Sequence, residues 1–466
     1  MSFVEPAFPA LLAVALLGVA VLRGRARQLL LLAVSLVFYG WADPRLVGLL
    51  LGVGLVAWGL GLAVARWPSR RRLWLGLAAL GTLGPLVAFK YLDLLGTAAA
   101  TALGAVGAHA AWAPTGWLLP VGISFYTLQG LAYVVDVHRG RLPARRDPVD
   151  VLLFVAFFPQ LVAGPIERAA HLLPQLDAPR RPDAERLASG LSLALWGAVQ
   201  KVCVADGIAP FVDRVFALPA PSWPLVVAGT LAFALQILAD FSGYTDLARG
   251  AARMVGVELV PNFRHPYLAT SPRDFWRRWH VSFSTWIRDY VYIPLGGSRQ
   301  GPARTALATV AAMLLSGLWH GASASFVLWG AWHALLLLAQ RAVQPRLPAW
   351  LVGLRGSHHL ARALTFLGVL VGWTLFRETR LDRLVAYAAL RPWTASRDDW
   401  VVASVLLVLT TLLALPLLAA LALEGPLARV RGPWRWTLRT TGWTLALLAL
   451  ASTVRVGEGA FLYFRF

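Results

Sequence analysis

Two histidines stand where a lipid bilayer gives them little reason to be. Leu318-Trp319-His320-Gly321-Ala322 lies between apolar runs at 305–319 and 323–340, with Arg299 and Arg304 marking the cytoplasmic start of the first run. The fifteen residues of 305–319 would rise about 22 Å as a helix, less than the ~30 Å hydrocarbon thickness. The sequence therefore predicts His320 at membrane depth, beside a helix break at Gly321. An ionisable group there is costly and faces a cavity or the bundle interior. Histidine titrates near neutrality and can take a proton from a hydroxyl as that oxygen attacks a carbonyl. A histidine that hydrogen-bonds two helices together fits the same pattern, and the residues alone leave the two readings level.

The second histidine lies in 262–302 (NFRHPYLATSPRDFWRRWHVSFSTWIRDYVYIPLGGSRQGP), the densest polar and aromatic stretch of the chain. Thr270-Ser271-Pro272 reads as a helix start, with Thr270 or Ser271 as N-cap and Asp274 in the first turn. On a continuous helix from there, Trp276, His280, Phe283 and Ile287 share one face, while Arg277, Arg278 and Arg288 point elsewhere. That pattern also suits an interfacial anchoring helix with a merely hydrogen-bonded histidine, and on spacing alone the anchoring reading leads. His333, on the returning helix, reads as a packing residue.

Other chemistries lack their residues. There is no HExxH, and His358 and His359 are adjacent, so no metal site is expected. No GxSxG elbow is present, and Cys203 is the only cysteine, which removes disulfides and CxxC motifs. Lys90, Asp136, Lys201, Asp240 and Asp246 also fall within apolar runs, where pairing or snorkelling is the ordinary outcome. The run Asp240 to Asp246 (DFSGYTD) interrupts a long apolar run and reads as a functional feature, as a helix kink, or as a structural hydrogen-bond network.

Helices must position these groups, and the composition says in what solvent. Of 466 residues, 58% are hydrophobic and 14% charged, with a mean hydropathy of +0.63; soluble domains carry about a quarter charged residues. The formal charge of +20 sits in loops between apolar runs, so it reports membrane topology and no nucleic acid partner is expected. Apolar runs recur to the end of the chain without a polar linker. The expectation is one all-α, multi-pass membrane domain over 1–466, with about eleven to thirteen membrane segments, some re-entrant. Basic loops at 23–27, 66–72 and 139–146 should face the cytoplasm. The first run, with Glu5 before it and arginines after it, reads as a retained helix with its N-terminus outside. Residues 166–186 suit an interfacial helix and loop. Arg377, Arg380, Arg383 and Arg397 break the loop alternation and leave the C-terminal orientation open.

At these residues the chain resembles the membrane-bound O-acyltransferase family, specifically its bacterial alginate O-acetyltransferase and teichoic-acid D-alanyl transfer branch. The resemblance runs through Val121–Tyr126, Phe158-Pro159-Gln160, Gly164-Pro165-Ile166, Asp240–Asp246, Asp274–His280, Tyr292–Gly297, Leu318–Gly321 and Phe461–Phe466, with Arg465 where glutamine would be expected. It implies a fold with a central thinned funnel. It also implies that His320 is the catalytic histidine and His280 the second one. Trp276, Arg278, Trp279 and Trp319 become candidate pocket walls, with Asn262 and Asp240 as weaker substrate-binding candidates.

The implied reaction draws an acyl group, with acetyl leading, from a cytosolic thioester such as acetyl-CoA or an acyl-carrier protein. It delivers that group to hydroxyls of an extracytoplasmic polysaccharide, directly or through a partner acyltransferase, in a bacterial cytoplasmic membrane. No bound cofactor is expected. The runner-up is D-alanyl transfer from a carrier protein. A transporter or flippase built on broken helices around Asp240, Asp246 and Lys201 is the alternative of another class. A structural scaffold would leave the burial of His320 unexplained.

Overall fold

The computed structural model describes residues 1–107, 111–348, 356–428 and 433–453; the 461–466 ending that entered the resemblance lies outside them. Every regular element among the described residues is helical. Among the described residues, six helices are long and apolar enough to cross a membrane: Arg45–Arg66, Pro68–Ala105, Ala184–Ala217, Trp223–Met254, Ala324–Arg346 and Ser357–Arg377. Arg397–Leu413 and Leu415–Leu423, bent by 54°, make a seventh if taken as one span. Other apolar runs form shorter helices, among them Phe8–Val21 and Thr441–Thr453. A helix of 14 residues such as Phe8–Val21 reaches only about 21 Å at 1.5 Å per residue, which is why apolar runs outnumber candidate spans.

Two compact units are present, Met1–Ala194 with Leu247–Val260, and Leu195–Asp246 with Pro261–Phe466. In the first, basic loop residues are tied down by partners. Buried Arg27 donates to the carbonyls of Leu22 (2.9 Å) and Pro179 (3.1 Å), and Arg145 pairs with Asp177 at 2.8 Å. The 166–186 stretch contains the helix Ala169–Asp177, which buries Leu172, Leu173 and Leu176. Ahead of it, buried Glu167 accepts from the backbone N–H of Val260 at 2.6 Å and contacts His171 Nδ1 at 2.7 Å.

In the second unit, Gly301–His320 and Ala324–Val343 form a tight helical hairpin. A β-carbon at Gly317 would sit 2.0 Å from the Phe326 carbonyl, and one at Gly330 would sit 2.4 Å from that of Met313. Small residues thus let the two backbones touch, as interhelical packing in lipid requires. The first helix begins before the apolar run and has 20 residues, about 30 Å. The added turn is the polar Gly301–Arg304 start, and the helix ends at His320 with the break expected at Gly321.

The helix Trp223–Met254 runs unbroken through Asp240 to Asp246. Its polar groups are absorbed by a π-helical turn at Val199–Ala205. Lys201 Nζ lies 2.7 Å from Asp206 and 2.7 Å from Asp240. Gln200 donates to Asp246 at 3.0 Å and accepts from Ser242. Of the readings of this stretch, the structural hydrogen-bond network is the one observed. Asp136 likewise pairs with Arg141 at 3.1 Å.

Candidate active site

The His280 segment starts as its sequence suggests and then departs from it. Ser271 caps the helix Pro272–Arg278, its Oγ accepting from the Asp274 N–H at 3.2 Å while Asp274 accepts from the Thr270 N–H. The expected continuous helix does not form. A second helix, Val281–Ile287, starts afresh after His280, whose backbone is left-handed at φ 43° and ψ 54°. A residue with a β-carbon is uncommon there and costs about 1–3 kcal/mol, which surrounding structure must offset.

Asn262 supplies that support from full burial. Its carbonyl accepts from the Val281 N–H at 3.0 Å, and its Oδ1 accepts from the Ser282 N–H (3.2 Å) and Oγ (2.6 Å). Arg264 N–H donates to the Arg278 carbonyl at 3.0 Å, and Ser284 Oγ to that of Trp279 at 3.0 Å. The break swings His280 off the face predicted for it and presses it edge-on against Phe241, ring centroids 4.6 Å apart.

His320, last residue of its helix, is boxed by aromatic rings. Phe376 stands at 5.0 Å, Trp329 at 5.1 Å, Phe283 at 5.9 Å and Trp319 at 4.9 Å, all in edge-on contact. His280 meets two of these rings, Phe283 at 5.1 Å and Trp319 at 6.0 Å. Both histidines are buried, at 1% and 7% exposure. Among the described residues no group of histidine, cysteine and carboxylates could hold a metal.

A cavity of about 1120 Å³ leads toward this box. Among the described residues, Arg264, Arg273, Arg277, Arg288 and Arg341 line it and no carboxylate does. Its apolar wall includes Trp276, Phe283, Ala312 and Met313, with Ser316 one turn before His320. Neither histidine lines it; Phe283 borders the cavity on one side and touches both imidazoles on the other. A cavity lined by arginines and by apolar side chains suits a ligand that carries both anionic groups and an uncharged group.

Of the sequence candidates, the structure brings His280, His320 and Trp319 together, and Trp276 lines the cavity. Trp279 instead packs into the aromatic core, 5.7 Å from Phe275 and 4.7 Å from Trp373. Arg278 is held by Asp274 at 3.0 Å and lies outside the cavity lining. Asp240 pairs with Lys201, and Asn262 supports the His280 turn. His333 packs among Phe275, Trp276 and Trp329. Sequence reasoning missed Phe376, Trp329 and Phe241 as walls, and Arg264, Arg273 and Arg341 as cavity lining. The dense aromatics after Gly321 were the signal for Trp329; Phe376 gave none, since only folding brings it near.

The fold and site together are those of an all-helical chain with membrane-length helices and two buried imidazoles beside an arginine-lined cavity. Residues 141–381 match MBOAT, the membrane-bound O-acyltransferase family, and the chain belongs to it. It is 39% identical over 403 residues to the "Probable alginate O-acetylase" of Azotobacter vinelandii, covering 85% of this chain and 79% of the relative. It is 30% identical over 422 residues to the peptidoglycan O-acetyltransferase of Helicobacter pylori, covering 80% and 76%. A teichoic acid D-alanyltransferase of Bacillus subtilis is 27% identical over 270 residues, covering 55% and 68%. The chain is thus a multi-pass membrane acyltransferase, and the transporter and scaffold readings are set aside.

Proposed function

We propose that this enzyme, in a bacterial cytoplasmic membrane, moves an acetyl group from a cytosolic thioester to hydroxyls of an extracytoplasmic polysaccharide, directly or through a partner acyltransferase. The observation that carries the reading is the cavity lined by five arginines, with Phe283 shared between its lining and the ring contacts of His320; that charge suits a phosphate-rich donor. Acetyl-CoA and an acyl-carrier thioester both fit that charge pattern. The relatives named for acetyl transfer cover more of this chain than the D-alanyl one, which supports acetyl over D-alanyl.

In this mechanism a hydroxyl oxygen attacks the thioester carbonyl carbon while His320 takes the hydroxyl proton. The C–O bond forms, the C–S bond breaks, and the departing thiolate takes the proton from the imidazolium. Ester and free thiol result. His280 is the second histidine of the site, Trp276 walls the donor path and Asn262 keeps the His280 turn in place.

The test is transfer in inside-out vesicles with labelled acetyl-CoA, comparing wild type with His320→Ala at matched expression. Label in wild type alone supports the reading, and its destination in polymer or protein reports whether a partner intervenes. A variant that transfers at the wild-type rate overturns it. No label from either, with acceptor and partners supplied, overturns acetyl-CoA as donor.

A further inference from the structure

Phe283 occupies an unusual place. Its ring is 1% exposed, borders the basic cavity, and stacks at 4.4 Å on Trp319 while touching both histidines. As the chain stands, a group in the cavity meets this ring before it meets an imidazole.

The segment carrying the ring is short and bounded by irregular backbone at both ends. Val281–Ile287 is only seven residues long. It is bounded by the left-handed His280 on one side and by the π-helical turn Arg288–Tyr292 on the other. Single π turns are frequent at functional sites, and the cavity leaves open space beside the ring into which the side chain can turn.

We propose that Phe283 is the gate between the basic cavity and the two histidines, and that its side chain sets the largest acyl group that reaches them. The gate stands on the geometry alone; its role in acyl selection rests on the transfer reading given above. In the closed position the ring keeps water and small nucleophiles from the imidazoles. In the open position it becomes the wall against which the acyl tail fits, so a smaller side chain admits a longer tail.

Two measurements on the full-length protein test this. Diethyl pyrocarbonate carbethoxylates accessible histidines, and peptide mass spectrometry reports each site. Exposed His358 and His359 are the internal standard. Expected is slow modification of His320 and His280 in wild type, severalfold faster modification in Phe283→Ala, an intermediate rate in Phe283→Leu, and no acceleration in Phe283→Trp. Equal reactivity of wild type and a folded Phe283→Leu and Phe283→Ala pair overturns the gate.

In the second measurement, acetyl and butyryl thioesters compete for transfer. The butyryl-to-acetyl ratio should rise at least about tenfold in Phe283→Ala, the scale on which an apolar wall discriminates methylene groups. An unchanged ratio overturns acyl selection. Absence of all transfer by wild type overturns the transfer reading instead, and histidine modification still decides the gate.

Discussion

His280 and His320 lie 40 positions apart in the chain and rest on the same two rings, Phe283 (5.1 and 5.9 Å) and Trp319 (6.0 and 4.9 Å). The two imidazoles thus belong to one site, but their backbones differ. His320 ends a regular helix, whereas His280 is left-handed. Substitutions can separate side-chain chemistry from backbone strain. His320→Ala should lower transfer by about 10²–10⁴, the range for a general base, in a protein that still folds, its melting temperature lowered only by the cavity left among the rings. At position 280, glycine relieves the strain and alanine keeps it, so His280→Gly should be the more stable variant by about 1 kcal/mol. Both variants should lose transfer. A His280→Gly enzyme with wild-type turnover would reduce this histidine to a turn residue.

Asn262 holds that turn with its side chain as well as its backbone. Asn262→Ala removes two buried hydrogen bonds to Ser282, at about 0.5–1.5 kcal/mol each. Thermal melting in detergent should drop, and turnover should fall more than donor KM rises, since the donor cavity is not lined by Asn262. A KM effect without loss of turnover would place Asn262 on the substrate instead.

Helix class, the N-cap at Ser271 and the break after His320 could be read from local signals, because caps, glycines and apolar runs act within a few residues. The His280 turn could not. Its apolar spacing matches an uninterrupted helix, and the interaction that breaks it comes from Asn262, 18 positions upstream. The same reason hides Phe376, whose place beside His320 is fixed by tertiary packing. The Asp240 to Asp246 run looked like a helix interruption because sequence cannot show that Lys201 and Gln200 lie across from it.

Lys201 is nearly fully buried between Asp240 and Asp206. Lys201→Met leaves two carboxylates facing each other without a cation, and removing one partner of a buried pair costs about 3–5 kcal/mol. Lys201→Met combined with Asp240→Asn should recover part of that loss, a coupling read from a double-mutant cycle of melting temperatures. Additive losses would show that the ion pair contributes nothing to the fold.

The cavity arginines make a separate kinetic prediction. Arg277→Glu or Arg341→Glu introduces an anion into a lining that has none, so KM for an anionic thioester should rise while turnover at saturation changes little. Added salt should weaken donor binding to the wild type and have a smaller effect on the variants, because screening acts on the attraction that they have lost. A turnover defect with unchanged KM would move these arginines from donor capture to chemistry.

The Glu167–His171 contact gives the first unit a pH dependence. The hydrogen bond from Glu167 raises the His171 pKa above its ordinary value, partly opposed by burial. A group with a raised folded-state pKa adds stability that is fully present below its unfolded value, about 6.5 for histidine. That stability is lost as pH rises through the folded value. His171→Gln keeps a neutral donor at every pH. The melting temperature of wild type over this variant should therefore be greatest near pH 6 and shrink toward alkaline pH. The His171 side chain is 45% exposed, so screening should hold the whole effect below about 1 kcal/mol. A stability gap that widens with rising pH would contradict the charged pairing of His171 with Glu167.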